Sequence, residues 1–226
     1  SSGDVNFFYN PSSYSSPTNF SSRVTMGTGT FTPYMLVNSI TKLDSIRSGT
    51  LSGALANYAL AKDIDASVTS TWNSGQGFNP IGSFAGKITG RKFLGPNVPL
   101  GSYEIQNLTI NRPTQDNVGI LGIVSSGVTL DYMTLKGGSI IGRNNVGGFV
   151  GLLNGATKLK NLTNLSTNIS GADYIGGITG YRNNTATGYF QSITNSANIS
   201  GGQYVGGLWG EGIGTANLAL SDLRNT

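Results

Sequence analysis

Four segments of the chain repeat one another at intervals too regular for chance. They are Asn117-Val118-Gly119-Ile120-Leu121-Gly122, Asn145-Val146-Gly147-Gly148-Phe149-Val150-Gly151, Tyr174-Ile175-Gly176-Gly177-Ile178-Thr179-Gly180 and Tyr204-Val205-Gly206-Gly207-Leu208-Trp209-Gly210. The steps from Val118 to Val146, Ile175 and Val205 are 28, 29 and 30 residues. A second element, Ile140-Ile141-Gly142, Ile169-Ser170-Gly171 and Ile199-Ser200-Gly201, precedes the last three copies, its Gly always four residues ahead of the β-branched residue. Short β-branched runs and Gly at this period match one coil of a parallel β-helix. A helical repeat of similar length would need apolar residues at i, i+3, i+4 and i+7 and would not tolerate the double Gly carried by three of the four copies. The fold class is therefore read as all-β: a right-handed parallel β-helix with a short helix in its N-terminal part.

In such a solenoid, equivalent residues of successive coils stack about 4.8 Å apart. Val118, Val146, Ile175 and Val205 are then expected to form one inward column, with Leu121, Val150, Thr179 and Trp209 on a neighbouring stretch of wall. The paired glycines are expected to supply positive φ and close backbone approach where the coil turns.

The chain changes character ahead of the repeats. Residues 1–33 are rich in Ser, Asn, Thr and Tyr and read as an N-terminal strand or linker, with a strand at Asp4 to Tyr9 and a loop around Pro11 and Pro17. Residues 34–100 read as a non-repeating β-helical segment holding one short helix. Ser39 can cap that helix, Ile40, Leu43 and Ile46 recur at three-residue spacing over Ile40 to Arg47, and Gly49 and Gly53 stop it. Tyr58 to Asp65 and Phe78 to Gly82 read as strands. Residues 101–226 read as the repeat solenoid, truncated at its C-terminus. The opening Ser1-Ser2-Gly3-Asp4 has neither a start methionine nor a signal-peptide pattern, so the chain is expected to be an excised piece.

Composition narrows the function classes. Charged residues are 11% of the chain, against roughly a quarter in an average soluble domain. The 14 basic and 10 acidic residues are spread thinly, the densest basic group being Lys87, Arg91 and Lys92, which argues against a nucleic-acid binder. No apolar run reaches the ~18 residues needed to cross a bilayer. Cysteine is absent, which fits a long exported chain that must avoid premature disulfides as well as it fits a reducing compartment. Histidine is absent too, removing the commonest general base, the Ser-His and Cys-His pairs and the usual zinc ligands.

The runs Tyr34-Met35-Leu36-Val37-Asn38, Tyr58-Ala59-Leu60-Ala61-Lys62-Asp63-Ile64-Asp65-Ala66-Ser67 and Thr71-Trp72-Asn73, then Gly77-Phe78-Asn79-Pro80-Ile81-Gly82 and Asn107-Leu108-Thr109-Ile110, come in the order seen in filamentous-haemagglutinin-like exoproteins. The Val-Gly-Gly repeats resemble the GLUG motif of such proteins. Together the resemblance covers residues 34–210. It departs from the usual pattern at Lys87 to Leu100, where a loop with Pro96 and Pro99 replaces a short turn, and at Tyr181 and Trp209, so local surface chemistry does not carry over. The resemblance implies two-partner secretion through an outer-membrane partner, a location outside the cell or on a bacterial surface, a fibrous stalk, and adhesion to host cells or other bacteria with a part in virulence.

The candidate sites are few. Asp63 and Asp65, two residues apart, put both carboxylates on one side of a strand. They could hold Ca²⁺ or work as a hydrolytic pair, but the favoured reading is that they accept hydrogen bonds from turn amides. Asn107, Asn161, Asn164, Asn168, Asn183 and Asn198 each begin an Asn-x-Ser/Thr sequon, and amide ladders are the favoured reading of this Asn-rich pattern. Trp72 and Phe78 read as a packing plug. Tyr174, Tyr181, Tyr204 and Trp209 are the candidate ligand-binding residues, with core or ladder stacking as the equal alternative. Thr does not recur in the paired arrays of an ice-binding face.

The function expected from all this is adhesion by an elongated presenting surface, with a host-cell receptor or glycan as partner. No catalytic residue, metal or cofactor is expected, and no enzyme. The alternatives are a polysaccharide-degrading β-helix enzyme, which should bring a cluster of Asp with Arg or Lys to one wall, and the non-catalytic repeat region of a surface protease.

Overall fold

The computed structural model describes residues 3–48, 56–93, 99–183, 188–212 and 218–226. It is a parallel β-solenoid of about six stacked turns with few helices. Three sheets form its walls. The first wall holds Val5–Tyr9, Phe31–Val37, Asn57–Leu60, Lys87–Thr89, Val128–Ile141, Thr157–Asn164, Gly188–Asn195 and Leu218–Asn225 in that order. The second holds Asn144–Gly147, Asp173–Gly176 and Gln203–Gly206. The third holds Ile81–Phe84, Leu121–Val124, Val150–Leu153, Thr179–Arg182 and Trp209–Gly212. Among the described strand pairs only Arg91–Phe93 with Pro99–Asn111 is antiparallel, and this arm occupies the Lys87 to Leu100 departure. Pro96 and the helix-stopping Gly49 and Gly53 lie outside the described residues.

The two columns expected from the repeats are present. Val118 pairs with Val146, Val146 with Ile175, and Ile175 with Val205. The first three are completely buried, while Val205, on the last described rung, is 42% exposed because no further rung covers it. Leu121, Val150, Thr179 and Trp209 are likewise in register, and Ile81 extends their column by one rung. The fixed four-residue spacing to the turn glycine has a steric origin. A Cβ on Gly171 would lie 2.6 Å from Ile175 Cδ1, so the turn is packed directly against the side chain four residues ahead.

The role given to the paired glycines is half right. They allow close approach, but none of those in the four repeats has positive φ. The left-handed position instead falls on the residue before each β-branched residue: Asn117 (φ 57°), Asn145 (φ 55°), Tyr174 (φ 62°) and Tyr204 (φ 55°). The chain bends after these positions, at Gly148-Phe149, Gly177-Ile178 and Gly207-Leu208, and the glycines around the bend let the second and third walls lie backbone against backbone.

A longer column runs inside the first wall, through Tyr9, Met35, Tyr58, Ile88, Leu130, Leu159, Phe190 and Leu220. From Met35 to Phe190 every member is at most 5% exposed. Farther along the same wall a polar column enters the interior. Leu135 is followed by Asn164, Asn195 and Asn225, with Asn195 Nδ2 donating to Asn225 Oδ1 at 2.9 Å. Asn164 is fully buried, donating to the Thr167 and Gly177 carbonyls and accepting from the Thr167 N–H, so this sequon is closed to modification in the folded chain.

The N-terminal segment joins the same sheet. Val5–Tyr9 pairs with Phe31–Val37, and the buried Tyr14 donates its hydroxyl to the Leu36 carbonyl at 2.6 Å. The helix spans Ile40–Ser45, continues as a 3₁₀ turn over Ile46–Ser48, and is capped by Ser39 accepting from the Lys42 N–H. Ile40, Leu43 and Ile46 are its buried face. The run from Tyr58 to Asp65 is broken into Asn57–Leu60 and Ile64–Asp65, and the strand expected at Phe78 to Gly82 begins at Ile81. Phe78 is fully buried and Trp72 packs half-buried on the core. Among the described residues no helix is long and apolar enough to cross a membrane.

One carboxylate works against the fold. Asp131 faces out from the first wall beside Thr89 and Lys160, and loss of hydration there raises its pKa despite a Thr89 hydrogen bond and nearby Lys160, Arg91 and Lys87. A raised folded value means the protonated form is favoured by folding. The associated stability is complete below the ordinary carboxyl range and is lost as pH rises through the folded value. Asp131→Asn is therefore expected to raise the melting temperature at pH 7 and to give no gain at pH 3. Paired thermal melts at the two pH values check this, and an equal shift at both would contradict the desolvation argument.

Candidate functional site

The left-handed position is filled by Asn in the first two repeats and by Tyr in the next two. Asn tolerates this conformation because its short side chain hydrogen-bonds locally, whereas an aromatic residue there is strained. Asn145 Nδ2 donates to Asn117 Oδ1 at 2.8 Å, one rung of an amide ladder. The Tyr174 and Tyr204 rings continue that ladder as a stack, with centroids 4.8 Å apart and planes within 3°.

The backbone beneath is held by a staircase of side-chain oxygens. Asp116 Oδ1 accepts the Asn144 N–H at 3.1 Å, Asn144 Oδ1 the Asp173 N–H at 3.3 Å, and Asp173 Oδ1 the Gln203 N–H at 3.0 Å. Arg143 grips Asp116 through both carboxylate oxygens, at 2.8 and 2.6 Å, which holds that carboxyl below its ordinary range. Each rung thus fixes the residue immediately before the left-handed position, and the two tyrosines are placed by the frame.

Tyr181 joins them from the third wall. Its ring meets Tyr174 edge-on at 5.1 Å and 64°. Tyr181 stacks in register between Leu152 and Glu211, so a carboxylate stands one rung beyond it. Loss of hydration, then the charge of Glu211, push the Tyr174 phenol above its ordinary value. The result is a corner of three tyrosines with an acid at its rim. Tyr174 and Tyr204 spend their facing sides on each other, so they offer ring edges, hydroxyls and the outer face of Tyr204, which is 49% exposed.

Trp209 is placed elsewhere. It belongs to the Leu121, Val150 and Thr179 column and stacks on Phe190 at 6.2 Å around a small apolar cavity lined also by Leu153, Leu159 and Ile178. Glu211, by contrast, read in the sequence as one of several dispersed acids. Its signal was register: it follows Trp209 by two residues as Tyr181 follows Thr179.

The remaining polar motifs have structural roles. Asp65 accepts from the Ser67 N–H and hydroxyl at 3.0 and 3.1 Å, and Asp63 accepts the Glu104 N–H at 2.9 Å and pairs with Lys92. Both are held below the ordinary carboxyl range. For Asp63 these partners together outweigh a burial effect of opposite sign, and for Asp65 the Ser67 N–H dominates. Neither carboxylate is paired with the other. Asn117, Asn154 and Asn225 form ladder pairs with Asn145, Asn183 and Asn195, and Asn117 and Asn154 begin no sequon. The sequon at Asn183 extends over residues outside those described.

Fold and corner together define a repeat β-solenoid that displays side chains on regularly spaced rungs. No family model matches the chain, and no solved structure matches it. Halomucin of Haloquadratum walsbyi (strain DSM 16790 / HBSQ001) is 36% identical over 143 residues. That stretch is 59% of this chain and 2% of Halomucin's length.

Proposed function

We propose that this chain is a stalk segment of a large surface-exposed protein, that its outward side chains mediate attachment to host cells or other cells, and that it carries no catalysis of its own. The similarity to a short stretch of Halomucin supports a surface-exposed repeat protein, and the solenoid supplies a rigid, elongated support. Export by a two-partner route and kinship with filamentous-haemagglutinin adhesins remain part of this proposal, resting on the sequence resemblance.

The observation that carries the attachment role is the pair of tyrosines at a backbone position suited to Asn. Left-handed strain costs on the order of 1 kcal/mol for each of the two tyrosines, and their one stacked ring pair returns only about 1 kcal/mol of it. Stability alone therefore gives no preference for Tyr over the Asn ladder already built one rung away. Exposed aromatics that stability does not require are natural contact residues.

The test is Tyr174→Asn combined with Tyr204→Asn. Thermal unfolding of the pair variant is expected to stay within about 1 kcal/mol of the parent, since the amide ladder extends by two rungs. Binding of the purified chain to a glycan array and to cell surfaces is expected to fall at least tenfold. A well-folded variant with unchanged binding would leave the corner without a ligand role.

A further inference from the structure

Around the other side of the coil, where the third wall turns into the first, an open groove runs parallel to the solenoid axis. Two contiguous hollows of about 280 and 410 Å³ form it, sharing Lys87 and Gly127. Its floor follows one column of the first wall, which starts at the buried Asn57 and continues outward through Lys87, Thr129, Lys158 and Tyr189, each paired in register with the next. Small residues at the coil turns, Gly127, Ala156 and Gly188, keep it open.

The column's chemistry is regular. Lys87 and Lys158 are both exposed and stand two rungs apart, about 10 Å at the usual inter-strand spacing. Thr129 lies between them and Tyr189 one rung beyond Lys158. No Asp or Glu lines either hollow. Asp131 lies two positions along the strand from Thr129, in the column shared with Lys160, and is the acid near Lys87, Arg91 and Lys160.

We infer that this groove binds a linear acidic polysaccharide, one bearing carboxylates along its length, laid along the solenoid axis. The two lysines leave the wall two rungs apart, close to the length of a disaccharide, a spacing that suits acid groups on alternate sugars of an extended chain. Between them the Thr129 hydroxyl offers hydrogen bonds of the kind sugar hydroxyls make, and the Tyr189 ring, one rung beyond Lys158, offers a stacking face. Two lysines are too few for a nucleic-acid backbone, whose charge is far denser than one per two rungs. This site is separate from the tyrosine corner and stands or falls without it.

Polygalacturonate is the probe, titrated into the intact chain at low and moderate salt, with neutral dextran and single-stranded DNA run alongside. Polygalacturonate is expected to bind, to weaken as salt screens the contacts, and to bind roughly tenfold or more weakly to a Lys87→Gln/Lys158→Gln variant, while Lys62→Gln, outside the groove, binds like the parent. Circular dichroism confirms that the variants are folded. Equal binding by the Lys87/Lys158 variant, equal binding of dextran, or tighter binding of DNA than of polygalacturonate would each overturn the inference. Retained polygalacturonate binding in the tyrosine variant is the expected result, and its loss there would move the glycan site to the corner.

Discussion

Replacing Ile175 with Asp is expected to destabilise the repeat coils by roughly 5 kcal/mol, the largest effect of any single substitution considered. Ile175 is completely buried, stacked between Val146 and Val205 and packed against the turn glycines of its own coil and the next. Removing its side chain costs about 2 to 5 kcal/mol by analogy with other buried aliphatics. A carboxyl left there without a partner adds about 1 to 3 more. The column holds no donor to compensate, since its neighbours are Val and Gly. Solenoid stability is approximately a sum over coils and their interfaces, so the loss should appear as early melting of the coils around Ile175 with the first-wall strands at Met35 and Tyr58 still protected. Hydrogen exchange resolved along the chain measures this. A variant with parental protection at Val146 and Ile178 would mean that the column is not the core of these coils.

That column was legible in the sequence because its repeats carry a marker at nearly constant spacing. The first wall was not, although it is longer. Its inward residues Met35, Tyr58, Ile88, Leu130 and Leu159 are separated by 23, 30, 42 and 29 residues, because the helix, the 3₁₀ turn at Ser67–Gly75 and the antiparallel arm are inserted between strands. Stacking fixes register within the wall but leaves the outer connections free to vary, so sequence period fails where structural period persists. The same effect hid the groove. Lys87 sits in the sequence beside Arg91 and Lys92, yet folding places it two rungs from Lys158, 71 residues away in the chain. The tyrosine corner was half legible. Equal positions in consecutive repeats put Tyr174 over Tyr204 as parallel rings one rung apart, but nothing in the spacing told that Tyr181 would close on them edge-on or which way Trp209, in register with Leu121 and Val150, would turn. Those outcomes follow from the left-handed backbone at one position and the pleat at the other.

Adding one methyl group at Gly180 is expected to cost about 3 kcal/mol, at the upper end of what overpacking incurs. The strand Thr179–Arg182 lies against Asn144–Gly147 of the coil before it, and a Cβ on Gly180 would be driven into the backbone of Asn145 and Val146. A clash with a side chain can be relieved by a change of rotamer. A clash with backbone can be relieved only by moving a strand that is itself hydrogen-bonded in both directions. Gly82, on the same wall, is the control: a Cβ there meets nothing within 4 Å and its φ is not positive, so Gly82→Ala should be neutral or slightly stabilising. Thermal melts of the two variants should therefore diverge by many degrees although each adds the same atom. The consequence extends to the surface, because Tyr181, the next residue along this strand, lies 5.1 Å from Tyr174. Gly180→Ala should disrupt that contact even in molecules that remain folded, visible as a change in the near-ultraviolet tyrosine signal below the melting transition. If both alanine variants melted together with that signal intact, the walls would not be in backbone contact, and the glycine that closes every repeat would need another explanation.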